Sequence, residues 1–160
     1  MLFRSQNGQL DYNYTTFNFN EMLDEAIDDI RLTAKNHRLE KTGSVLKMVH
    51  ADKQRLQQVM LNLLSNAIKY SPAGERIIIN VVEQKKQILV AVQDFGVGMM
   101  AQHLGKVFDR YYRVQEHAVY FQGLGIGLNI SSNIVKRHHG KIWAESEPGK
   151  GSTFYFTLPL

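Results

Sequence analysis

The sequence predicts a mixed α+β domain, on three observations. Two long stretches, Asn18 to Lys35 and Asp52 to Pro72, carry apolar residues at three- and four-residue spacing, the period of helices that bury one face. Two pairs of runs, Arg76–Glu83 with Gln87–Gln93 and Lys141–Ser146 with Ser152–Leu158, are separated by short polar or glycine-rich turns and read as antiparallel hairpins. At 160 residues, 44% of them apolar, the chain is long enough for one substantial core.

Residues 1–14 are polar and without period, and read as a tail or as the end of a connection from a preceding domain; 15–160 form the domain proper. Thr15 to Phe17 can start a strand. Asn18 with Glu21 three residues later makes an asparagine capping box, and Phe19, Met22, Leu23, Ala26, Ile27, Ile30 and Ala34 give the first helix its buried stripe. Ser44 to His50 reads as a short strand ahead of Asp52, which caps the second helix; Ser71-Pro72 with Gly74 ends it. That second helix has two faces. Leu56, Val59, Met60, Leu63, Leu64, Ala67 and Ile68 are core, while Gln58, Asn62, Asn66, Lys69 and Tyr70 line another side. Asparagine is a mediocre helix former, and an amide oxygen can ligate a hard cation while a lysine one turn on holds phosphate. A site and a plain solvated face both fit this helix taken alone.

The second strand of the first hairpin runs into Asp94-Phe95-Gly96-Val97-Gly98-Met99, an acid followed by alternate glycines, which suits a tight turn open to close ligand approach or simply a turn. Met100 to Val107 reads as a short helix. Phe108 to Arg113 sets aromatics beside two arginines, and the period is then lost from Val114 to Gln122, which reads as a long mobile loop, with Ala118 to Phe121 equally suited to be an apolar anchor that packs down. Gly123-Leu124-Gly125-Ile126-Gly127-Leu128 leads into a helix marked by Ile130, Ile134, Val135 and His138 and closed by Gly140, an arrangement that can receive an anion. The last hairpin carries Trp143, Tyr155 and Phe156, expected mostly in the core.

Several function classes fall away. No cysteine is present, so disulfides, thiolate metal sites and cysteine nucleophiles are excluded. No apolar run reaches the roughly 18 residues of a membrane span, so the chain as given reads as soluble. The charge of +4 is scattered and indicates no nucleic-acid partner. The alternating glycines do not follow the dinucleotide fingerprint, and the Walker pattern is absent. His138 and His139, about 100° apart on a helix, suit a helix C-terminus as cations better than a shared metal.

Four motifs in fixed order, Asn62-Leu-Leu-Ser-Asn66-Ala-Ile-Lys69-Tyr70, Asp94-Phe-Gly96-Val-Gly98, Phe108-Asp-Arg-Tyr-Tyr-Arg113 and Gly123-Leu-Gly125-Ile-Gly127-Leu, resemble the N box, first glycine box, F box and second glycine box of bacterial sensor histidine kinases. Gly149-Lys-Gly151-Ser-Thr153-Phe resembles the family's closing glycine segment, and the likeness covers about Thr15 to Leu160. It implies the catalytic, ATP-binding domain of a GHKL kinase, a two-layer α/β sandwich of the Bergerat type with helices on one face of a mixed, mainly antiparallel sheet.

By this resemblance the ligands are ATP and Mg²⁺. Asn66 holds the metal, Asn62 supports the phosphate side, Lys69 and Arg113 contact phosphate, and Tyr70 lines the pocket. Asp94 accepts the adenine amino group; Gly96, Gly98, Met99, Gly123, Leu124, Gly125, Ile126, Gly127, Leu128 and Thr153 complete the ATP site, with 114–122 as its lid. Partners implied are a histidine-bearing dimerisation domain of the same kinase and a response regulator. Two departures stand out: Leu124 replaces a hydroxyl residue of the family, and no stretch matches the phosphoacceptor motif, His37 being a poor candidate. Asn62 stands where gyrase- and chaperone-type relatives carry the glutamate that activates water, and an amide cannot be that base. An anti-sigma-type serine kinase and a non-catalytic nucleotide-sensing or docking module are the alternatives.

Overall fold

A computed structural model describes residues 11–34, 36–72, 75–109 and 127–160. In chain order the elements are β1 (Thr15–Phe17), α1 (Phe19–Arg31), β2 (Arg38–Thr42), β3 (Val49–Ala51), α2 (Lys53–Lys69), β4 (Arg76–Glu83), β5 (Gln87–Gln93), α3 (Ala101–Leu104), α4 (Gly127–Arg137), β6 (Ile142–Glu147) and β7 (Gly151–Pro159). Five strands make one mixed sheet in the order β2-β4-β5-β7-β6, in which only β2 and β4 run parallel.

A small antiparallel ribbon starts both long helices. β1 pairs with β3, and each strand runs straight into a capping residue. Asn18 Oδ1 accepts the N–H groups of Asn20 and Glu21 at 2.9 and 3.3 Å, and Asp52 Oδ1 accepts that of Arg55 at 3.1 Å. Two otherwise orphaned helix ends are thereby satisfied side by side, and α1 packs along α2. The expected buried stripes are observed on both helices.

Alternation along the strands supplies the other half of the core. Ile77, Ile79 and Val81 of β4, Ile88, Val90 and Val92 of β5, and Phe154, Phe156 and Leu158 of β7 are all buried and fall in register on one face. They join the helical stripes in a single cluster, so the helices form one layer and the sheet the other. Phe156 is fully buried; its truncation to alanine belongs to the class that costs about 3–5 kcal/mol.

Four details depart from the sequence expectation. Ser44 to His50 is not a strand: only Val49–Ala51 pairs, while Leu46 and Met48 are 89% and 56% exposed. β2 was not expected, because this edge strand buries only Leu39 and so carries almost no apolar pattern. The first helix ends at Arg31, where Thr33 turns back to bond Ile30 O through both its N–H and its hydroxyl, although Ala34 is still buried. Trp143 and Tyr155 are not core. They stack at 5.2 Å on the sheet face opposite the helices, and Phe154 and Phe156 fill the interior instead.

The residues just before β1 lie against the domain. Tyr12 sits between the guanidinium groups of Arg55 on α2 and Arg137 on α4, at 5.0 and 4.8 Å, and Asn13 N–H donates to Asp52 Oδ2. Beside them His138 is buried and bonded at both ring nitrogens. Nδ1 donates to Ile134 O at 2.8 Å, and Nε2 accepts Asp52 N–H at 3.1 Å, which defines the neutral tautomer. Burial lowers its pKa below 6.5, so it is not the C-terminal cation the sequence suggested. His139 instead is exposed and takes the left-handed position at φ 64° that ends the helix.

As pH falls through about 6.5 the unfolded imidazole takes a proton that the folded one resists, so this group's contribution to stability is lost on acidification. The melting temperature of wild type minus that of His138→Gln should therefore decrease below that pH. A difference that stays flat from neutral to mildly acid conditions would show that His138 is not held neutral.

Candidate functional site

The turn from Asp94 to Gly98 is closed on both sides by backbone. On one side Val97 N–H donates to Tyr70 O at 3.0 Å, and a Cβ on Gly96 would come to 1.7 Å from that same oxygen. On the other, Gly98 has φ 69°, and a Cβ there would lie 2.1 Å from Glu147 O at the β6–β7 turn. Both glycines are therefore required by the protein's own chain, which threads this turn between the end of α2 and the last hairpin. Met99, next in line, is buried, and its N–H donates to Ser146 Oγ at 2.7 Å.

Asp94 stands at the centre of this junction. Its Oδ1 accepts Gly96 N–H at 3.0 Å and Ser152 N–H at 3.2 Å; its Oδ2 is buried with no hydrogen-bond partner. Burial raises its pKa to about 6, the two N–H bonds pulling the other way. A carboxylate so placed has one saturated oxygen and one that awaits a donor. A cavity of about 270 Å³ is lined by Asp94 and Ser152 together with Gln93, Glu145, Lys150 and Thr153.

The polar face of α2 begins beside α4 and ends at this turn. Asn62 Nδ2 donates to Gly127 O at 3.1 Å and to Ser131 Oγ at 3.2 Å, which ties the middle of α2 to the first turn of α4. Asn66 follows one turn later, half-buried; Lys69 is exposed, and Tyr70 supplies the carbonyl that holds Val97. Leu128 is half-buried against the core. Phe108 packs edge-on against Phe154 at 6.0 Å, and its carbonyl accepts Asn129 Nδ2, so Phe108 is joined to α4. Arg113, Gly123, Leu124, Gly125 and Ile126, and the expected lid at 114–122, lie outside the described residues.

Thr153 lines the same cavity as Asp94 and Ser152. It lies one residue from Phe154 in β7, so it stands on the other face, where its hydroxyl meets that of Tyr155. Ser152 takes the place beside Asp94, through its buried N–H and a hydroxyl 2.7 Å from Ser146 Oγ. The closing Gly-Lys-Gly-Ser-Thr-Phe segment held the signal. Strand alternation from Phe154, an inner residue, puts Ser152 and not Thr153 on the same face. Among the described residues no three acidic or histidine side chains gather as a metal cage.

A family model described as histidine kinase-, DNA gyrase B-, and HSP90-like ATPase matches residues 51–160. The chain is 35% identical, over 88% of its length, to the adaptive-response sensory kinase SasA of Thermosynechococcus vestitus (strain NIES-2133 / IAM M-273 / BP-1), and 42% identical, over 69% of its length, to the sensor histidine kinase WalK of Bacillus subtilis (strain 168). It spans only 38% and 19% of those proteins. Among solved structures it is similar to the nucleotide-free catalytic domain of histidine kinase ThkA, with a TM-score of 0.78 and 29% identity over 92% of this chain and 95% of that one. The mycobacterial sensor histidine kinase MprB has the same fold, with a TM-score of 0.81 at 24% identity over 92% of this chain and 97% of that one.

Gly96→Ala should displace the turn from Tyr70 and cost about 2–3 kcal/mol or more, while Gly105→Ala, which meets nothing within 4 Å, should be nearly neutral. Chemical denaturation of the two variants checks this. Equal stabilities would mean that the turn is not held by the backbone contact.

Proposed function

Since the chain belongs to the histidine kinase-, DNA gyrase B- and HSP90-like ATPase family, we propose that it binds ATP with Mg²⁺ at the junction of α2, the 94–98 turn and the start of α4, and serves as the kinase core of a two-component sensor. The observation that carries this reading is the buried, half-satisfied carboxylate of Asp94. An adenine amino group has the donor that Oδ2 lacks. Guanine presents a carbonyl at the equivalent place and would set acceptor against acceptor, so the site selects adenine. The oxygen of the Asn66 amide is the donor suited to Mg²⁺, in company with ATP phosphates, and Lys69 is placed one turn on for phosphate. Arg113 and the second glycine box are assigned to phosphate by family resemblance. When bound, the ion neutralises charge on the phosphates. Asn62 has no carboxylate and cannot take a proton from water, which disfavours hydrolysis and favours transfer of the γ-phosphoryl group. The acceptor proposed is a histidine on a separate dimerisation domain, with a response regulator receiving the phosphoryl group next. The proposed setting is the cytoplasm; no described helix is long and apolar enough to cross a membrane.

Calorimetric titration should give binding of ATP but not of GTP, strengthened by Mg²⁺, and Asn66→Ala should remove the Mg²⁺ effect and phosphotransfer by the assembled kinase while leaving the fold intact. If folded protein binds neither nucleotide, the chain is a docking module and not a kinase core.

The pH dependence has a definite sign. Protonation of Asp94 falls on Oδ2, because Oδ1 already accepts two N–H groups, and replaces the needed acceptor with a donor. ATP affinity should therefore fall as pH drops below about 6. Stability without ligand should move the other way. The folded pKa exceeds the unfolded 3.8, so folding is favoured as pH falls through 6, by at most roughly 3 kcal/mol. Asp94→Asn should abolish both slopes; their persistence in that variant would assign them to another group.

A further inference from the structure

α2 ends at Lys69, and the carbonyls that follow need donors from outside the helix. That of Tyr70 accepts Val97 N–H at 3.0 Å, and that of Ser71 lies 2.6 Å from Nε2 of His37. A carbonyl only accepts, so this nitrogen carries the proton. His37 belongs to the connection between α1 and β2, where it is half-buried between the exposed Asn36 and Arg38 and meets the end of α2. Ser71, itself buried, is therefore gripped from two sides, by the 94–98 turn through the preceding carbonyl and by His37 through its own. The wall so fixed is the one on which the turn packs. A Cβ on Gly96 would lie 1.7 Å from Tyr70 O and 2.9 Å from Ser71 Cα, and Gly96 N–H donates to Asp94 Oδ1 at 3.0 Å. A continuous path of contacts runs from His37 through Ser71 and Gly96 to Asp94.

We propose that His37 is a positioning residue of the base site: by holding the Ser71 carbonyl it sets the wall against which Gly96 packs, and with it the direction in which Asp94 meets the adenine amino group. This rests on the reading of Asp94 given above. A hydrogen bond weakens steeply as its angle closes, so a small tilt of the turn lowers the affinity for the base while leaving the carboxylate in place. The effect passes through Ser71 and Gly96, and it therefore falls on binding of the base and not on transfer of the phosphoryl group.

The test is calorimetric titration of ATP into wild type, His37→Met, His37→Gln, Asp94→Asn and the double variant His37→Met/Asp94→Asn, with amide hydrogen exchange of Val97 followed by NMR in each. Methionine keeps the bulk of the ring without its donor, and glutamine keeps an N–H donor at similar reach. His37→Met should bind ATP about fivefold more weakly, the worth of one hydrogen bond, and its Val97 amide should exchange faster than in wild type. His37→Gln should restore both. In the assembled kinase His37→Met should raise KM for ATP and leave kcat unchanged. The losses from His37→Met and Asp94→Asn should not add, because both act on one hydrogen bond to the base. Full ATP affinity in His37→Met, a loss that glutamine does not repair, a Val97 amide that exchanges as in wild type, or strictly additive losses would each overturn the positioning role while leaving the base site in place. Wild type that binds no ATP would overturn the base site itself, and this inference with it.

Discussion

The backbone contact of the 94–98 turn with Tyr70 on one side and Glu147 on the other is the constraint on which the rest of the site depends. Backbone meeting backbone leaves no space for a Cβ, so Gly96 and Gly98 are dictated by the fold itself. The contact also brings three distant segments together: the end of α2, the strand end that carries Asp94, and the last hairpin. Asp94 is then buried by its surroundings, and its two N–H bonds come from two of those segments. Its altered proton affinity follows from this packing and needs no neighbouring charge.

A second constraint runs through α2. Its first residues are held by the ribbon cap at Asp52, its middle by Asn62 to α4, and its last carbonyl by Val97. α4 is joined to it at two points, Asn62 with Gly127 and Ser131 near its start and His138 with Asp52 near its end, so the helices lie antiparallel. The face of α2 that sequence marked by its asparagines is therefore also a helix–helix seam. The amide nitrogen of Asn62 is committed to α4, and only its oxygen is left to face a ligand.

Much of the fold was legible in the sequence because the helix stripes and the β4–β5 hairpin follow strict periods, and because Asn18 and Asp52 are the residue types that cap helices. β2 was not legible: a parallel edge strand with a single buried side chain has no period to read. Trp143 and Tyr155 misled by their size, since a stacked pair on a sheet surface has the same composition as a core pair. In the site, Asp94 and its glycines were visible as a motif, but the cause of the glycines was not, because the oxygens they approach belong to residues 26 and 49 positions away. Ser152 was obscured by its neighbour Thr153; only the alternation of the strand tells which hydroxyl faces inward. His138 was misread because its burial depends on Tyr12 and Tyr14, far off in sequence.

The two buried titrating groups, His138 and Asp94, lie at different corners of the domain and carry opposite signs. Over mildly acidic pH the imidazole weakens the fold as the carboxyl strengthens it, since one resists a proton that the unfolded chain accepts and the other accepts a proton that the unfolded chain refuses. The two contributions oppose each other in stability, and under the proposed reading only Asp94 meets the nucleotide. On that reading acidification weakens nucleotide binding through Asp94, while the effects of the two groups on the stability of the fold pull in opposite directions.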